Sequence, residues 1–101
     1  MRYTEPIIKQ HPGVCMICEI QGDRSLKQIE VHHVLFGFGK RKISTKYGLV
    51  CNLCRKHHRE GQEAVHNCRS NRELLCMIFQ EEFEKTHSHE EWMQIAGKNY
   101  R

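Results

Sequence analysis

Across Gln28 to Leu35, where apolar and polar positions alternate over the first five residues and Ile29, Val31 and Val34 are β-branched, the two-residue period predicts a strand. It ends at Gly37-Phe38-Gly39, a corner, and a short basic cluster, Lys40-Arg41-Lys42, follows. A second apolar run from Tyr47 to Leu53 predicts another strand. The two can pair as a hairpin with a long connection. A short helix is expected from near Cys54 to Gly61. Beyond residue 70 the period changes. Leu74, Leu75, Ile78, Phe79 and Phe83 recur at helical spacing, and so do Trp92, Ile95 and Ala96, which predicts two helices. Ser70-Asn71-Arg72-Glu73 and Ser88-His89-Glu90-Glu91 both have capping-box spacing at their starts, and Gly97 suits a C-terminal stop.

Ahead of the strands, residues 1–13 read as an N-terminal arm with a turn at His11-Pro12-Gly13. Val14 to Ile20 carries Cys15-Met16-Ile17-Cys18, a spacing that commonly forms a tight knuckle with two sulfurs facing one ion. The resulting plan is a single α+β domain over 14–101, with a core at 15–67 and a helical part at 70–101.

Composition adds a reason for the cysteines. A chain of 101 residues buries a thin core, and its hydrophobic share is 39%, so a metal or disulfide staple is expected. Six cysteines and eight histidines supply the donors. The first thirteen residues contain no apolar secretory segment and no run approaches a bilayer span, so a cytoplasmic location with reduced thiols is expected. The formal net charge of +4 allows a polyanionic partner.

Zinc takes four ligands, usually as two pairs. Cys15 and Cys18 are one pair. The second half offers two overlapping pairs, Cys51 with Cys54 and Cys54 with His57. Cys54 and His57 are preferred, because His58 is then free to point elsewhere. Cys51 and Cys76 read as small core residues. Cys68, close to His66, is a further candidate ligand.

The ordered set of CxxC, His32-His33, a glycine-containing loop, a second strand, Cys54-Arg55-Lys56-His57-His58 and a later His66 resembles the HNH, or ββα-metal, endonuclease family. The stretch "VHHVLFGFGKRKISTKYGLVCNLCRKHHREGQEAVHN" with the ending "EEWMQIAGKNY" is more closely similar to small HNH-like proteins encoded by bacteriophages and prophages. The resemblance implies a His-Me finger core and metal-dependent hydrolysis of DNA phosphodiester bonds. It makes His33 the general base, and His32, His58 and His66 the ligands of a divalent catalytic metal (Mg²⁺, Mn²⁺, Ni²⁺ or Zn²⁺). One structural Zn²⁺ would sit on Cys15, Cys18, Cys54 and His57. Lys40, Arg41 and Lys42, lying between the strands, are candidate phosphate contacts. The sequence departs from the motif where the family carries an asparagine before the second knuckle. Tyr47-Gly48-Leu49-Val50 stands there, with Asn52 displaced along the chain. Two rival readings follow from this chemistry. One is a nucleic-acid-binding zinc module of the same fold with little or no catalysis. The other is a two-zinc interaction module of cross-brace type.

Overall fold

The computed structural model describes residues 5–101; residues 1–4 of the expected arm lie outside the described residues. Helix α1 (Met16–Ile20) is the knuckle. Strand β1 (Ile29–His33), helix α2 (Lys40–Tyr47) and strand β2 (Val50–Cys54) follow. A single π-helical turn over Lys56–Glu60 leads to helix α3 (Arg69–Phe83), and helix α4 (His89–Ala96) closes the chain. β1 and β2 pair antiparallel, Ile29 opposite Cys54 and His33 opposite Val50. The fold is α+β, built on this two-stranded sheet.

The strand connection is not a loop. The basic cluster forms the first turn of α2, although Ile43 and Tyr47 are its only large apolar residues. Brackets at both ends hold it: Gly39 (φ +76°) before it and Gly48 (φ +70°) after it are both left-handed. The buried Ser44 hydroxyl accepts from Leu35 N–H at 3.1 Å, and Leu49 N–H donates to the Ser44 carbonyl at 2.8 Å. Lys40 Nζ donates to the Ile95 carbonyl at 2.7 Å, which ties α2 to the C-terminus of α4.

The arm is packed against the hairpin. Ile7 N–H donates to the Gly48 carbonyl at 3.0 Å, and a Cβ at residue 48 would collide with the Glu5 carbonyl. Asn52 N–H, on the free edge of β2, donates to Gln10 Oε1 at 2.9 Å. The Asn52 side chain donates to the His11 carbonyl at 3.3 Å.

The core joins Val34, Leu49, Cys51 and Leu53 of the hairpin region to Leu75, Cys76, Phe79 and Phe83 of α3 and Trp92 of α4, all buried. The expected cap at Ser88 forms: its hydroxyl accepts from Glu91 N–H, and the Glu91 carboxylate accepts from Ser88 N–H. The expected cap at Ser70 does not. Helix α3 begins two residues earlier, with Cys68 at the N-cap, and the Cys68 N–H donates to the Ala64 carbonyl at 2.7 Å. Glu73 pairs with Lys98 at 2.9 Å and Arg69 at 3.4 Å in place of reaching back. Among the described residues no helix is long and apolar enough to cross a membrane.

Candidate metal centres

Two clusters of metal-ligating side chains flank the π turn. In the first, Cys15, Cys18, Cys54 and His57 are all buried, with their ligand atoms within 4.8 Å of one another. Cys15 caps the N-terminus of α1, its Sγ accepting from Cys18 N–H at 3.5 Å. Cys54 closes β2, and His57 lies in the π turn three residues on. The spacings fit a tetrahedral ion. Bonds of about 2.3 Å to sulfur and about 2.0 Å to nitrogen imply S···S edges near ~3.8 Å and S···N edges near ~3.5 Å. Cys18 Sγ lies 3.8 Å from Cys54 Sγ, and His57 Nδ1 lies 3.5, 3.3 and 3.4 Å from the sulfurs of Cys15, Cys18 and Cys54. The same 3.8 Å excludes a disulfide, which needs about 2.05 Å.

Electrostatics point the same way. Burial, and then the Cys15 and Cys54 sulfurs, push the Cys18 thiol up to about 12. Three thiolates this close repel one another unless a cation sits among them. At Cys54 burial also acts upward, but N–H groups of His57 and Lys56 and the neighbouring thiols outweigh it and hold that thiol low. Nδ1 faces the sulfurs, so Nε2 of His57 carries the proton, and Glu63 Oε2 stands 3.9 Å from it. This buried group could hold a structural zinc. Of the two registers open in the sequence, the structure gathers Cys54 with His57. Cys51 lies on β2 opposite His32 as a core thiol. Cys68 joins neither cluster and sits at the start of α3, 3.3 Å from Ser70 Oγ.

The second cluster is His32, His58 and His66, again with ligand nitrogens within 4.8 Å. Ring centroids are 5.4 Å apart for His32–His58, 6.1 Å for His32–His66 and 4.9 Å for His58–His66. Successive residues on a helical turn diverge by roughly 80–100°, so His57 and His58 can serve different clusters. His66 returns because the chain doubles back: Val65 N–H donates to the His57 carbonyl at 2.8 Å, and His66 N–H to the His58 carbonyl at 3.4 Å. Gly61 permits this by lacking a side chain and not by its backbone angle, since its φ is −93°. A Cβ there would stand 2.7 Å from the Lys56 carbonyl that its own N–H bonds at 3.1 Å.

His32 is 5% exposed, and its Nε2 is buried with no hydrogen-bond partner. Burial above all, then the charges of His58, His66, His33 and Arg72, depress its pKa to about 3. His66 is also lowered, by burial and then by His58 and Arg72. A buried lone pair that stays unprotonated and unpaired is what a metal ligand requires. His58 Nδ1 donates to Glu30 Oε1 at 2.8 Å, which leaves Nε2 as its ligand atom. The other Glu30 oxygen accepts from Arg59 Nη2 at 2.6 Å. Sequence reasoning missed Glu30, yet a signal was there: residues 30 and 32 share one face of a strand.

His33 points from the opposite face of β1 and is partly exposed. Burial first, then Arg41 and His58, lower its pKa, so its imidazole is neutral near pH 7. Asn52 is engaged with the arm and does not orient His33. Of the basic cluster, Lys40 is committed to α4, whereas Arg41 and Lys42 are exposed. No family model, curated protein or solved structure matches the chain.

Proposed function

We propose that the protein is a metal-dependent endonuclease of HNH type that hydrolyses DNA phosphodiester bonds. The observation that carries this reading is the buried, unpaired His32 Nε2 beside His58 and His66, with the neutral His33 next along the strand. A divalent cation on these imidazoles would stabilise the charge that builds on the phosphate and the leaving oxygen. His33 accepts the proton of the attacking water as a P–O bond forms and the bond to the leaving oxygen breaks. Glu30 holds the His58 tautomer. Arg41 and Lys42 bind neighbouring phosphates. Three imidazole donors suit Ni²⁺ or Zn²⁺ best, whereas Mn²⁺ and Mg²⁺ favour oxygen and would need water and phosphate oxygens to complete their shells.

One observation favours a second reading, a DNA-binding module with weak catalysis: Asn52 clips the arm, so no motif asparagine supports His33. Metal analysis combined with nicking of supercoiled plasmid separates these readings. The nuclease predicts one tightly held zinc and nicking that depends on added Mn²⁺ or Ni²⁺. DNA binding without nicking under any of Mg²⁺, Mn²⁺, Ni²⁺ or Zn²⁺ supports the module. Two tight zincs without DNA binding would support a cross-brace.

A further inference from the structure

We propose that Phe38 is a nucleobase-stacking tip, and that the substrate class is DNA with unpaired bases, such as forks and flaps, in preference to uninterrupted duplex. This rests on the reading that the partner is DNA. In the segment Phe36-Gly37-Phe38-Gly39 the two aromatic rings differ in how far they are covered, Phe36 being 39% exposed. Phe36 is held: the Arg72 guanidinium lies 4.6 Å from its ring centre and Tyr100 packs at 6.3 Å. Phe38 is fully exposed, at 106%. Its neighbours fix that exposure. Gly37 (φ +113°) and Gly39 (φ +76°) both occupy the left-handed region, and a Cβ on Gly39 would meet nothing within 4 Å. Glycine is therefore needed at 39 for the backbone angle and not for space.

The tip stands on a firm base. Lys40 N–H donates to the Gly37 carbonyl at 3.2 Å and closes the turn. Lys40 Nζ is bonded to Ile95, and Ser44 to Leu35, so the first turns of α2 are held from two sides. Phe38 lies between His33, the last residue of β1, and Lys40, the first of α2, so the tip stands on the same strand connection that the base candidate opens.

Charge identifies the partner. From Val31 to Arg59 there are seven Lys or Arg and no acidic residue. Arg55 and Arg59 pair with Glu60 and Glu30 just outside that stretch, while Arg41, Lys42 and Lys46 have no acidic partner among the described residues. A bare aromatic ring among cations has no hydrogen bond to offer, but every nucleobase presents a π face and every linkage a phosphate. Within continuous duplex that face is already stacked, and inserting a ring must unstack a step. At an unpaired base this penalty is absent. The preference for unpaired bases follows.

The test is equilibrium binding of the zinc-loaded protein to labelled fork, flap and matched duplex oligonucleotides at one salt concentration. Wild type is compared with Phe38→Ala and Phe38→Trp. Wild type is expected to favour fork and flap. Phe38→Ala should lose on the order of tenfold on those two and stay within about twofold on duplex, with its zinc content unchanged. Phe38→Trp should keep the preference, and its indole emission should be quenched by fork DNA. Equal loss on all three DNAs, or no loss on any, overturns the stacking tip while leaving a DNA-cleaving protein intact. Wild type that binds none of them overturns both readings. Because the ring touches little of the protein, neither substitution threatens the fold.

Discussion

At the residue scale, adjacent histidines are assigned different work, and substitutions should separate them. His32→Ala and His58→Ala should weaken binding of the second metal, and excess metal should restore part of the activity. Glu30→Gln should weaken that metal by about 10–100-fold, as the loss of an outer-shell partner does, with zinc retained; calorimetric titration with Mn²⁺ or Ni²⁺ measures it. In the zinc cluster, Cys54→Ser should abolish cooperative folding, because metal binding is folding free energy in so small a domain. Cys51→Ser should cost about 1–3 kcal/mol for its buried hydroxyl and keep the zinc. Denaturation followed with zinc analysis tells these apart. The Cys and His spacing made this cluster legible, including the preferred register. Glu30 was legible only as a residue sharing a strand face with His32, and Glu63 and Arg72 not at all, since nothing in the local sequence says which carboxylate or guanidinium reaches which imidazole.

At the element scale, the π turn is the piece that presents His57 to one cluster and His58 to the other. Gly61→Ala brings a Cβ against the Lys56 carbonyl, so it should destabilise by about 1–3 kcal/mol and loosen the second metal. Chemical denaturation and metal titration together check this. Helix α2 supplies the second element-scale test. Replacing Arg41 and Lys42 together should flatten the salt dependence of duplex binding by up to roughly two log-log units, at ~0.9 per phosphate contact. Adding Lys40→Ala should remove little more salt dependence but should destabilise the fold, since its ammonium caps α4. The hairpin and both C-terminal helices were legible from their periods. Helix α2 was not, because its formation depends on Ser44, Gly39 and Gly48 making contacts and angles that an apolar pattern does not record. The start of α3 was misplaced by a motif whose Glu73 is drawn to Lys98.

On the scale of the whole molecule, the hairpin is an armature for two clusters of Cys and His side chains, most of them buried, and stability should depend on pH accordingly. The folded-state pKa of His32 is about 3, against an ordinary value of 6.5. Between these values the unfolded chain binds a proton that the folded protein excludes. Stability is thus fully present above about pH 6.5 and falls as pH drops toward 3, by up to about 1.4 kcal/mol per pH unit from this group. His57 and His66 are lowered too and act in the same direction. Thermal melts from pH 8 to pH 4.5 should show a monotonic loss, steeper than in His32→Asn, which removes the largest of these contributions. A chelator that strips the zinc should unfold the protein at neutral pH.

The central claim is that His33 is a base and not a scaffold residue. The most direct measurement is the single-turnover cleavage rate of DNA by zinc-loaded protein at saturating Mn²⁺, for wild type and His33→Ala. The account predicts unchanged zinc content and DNA affinity with a rate lower by ~10²–10⁴. A His33→Ala protein that cleaves as fast as wild type, or that loses its zinc and unfolds, would contradict it.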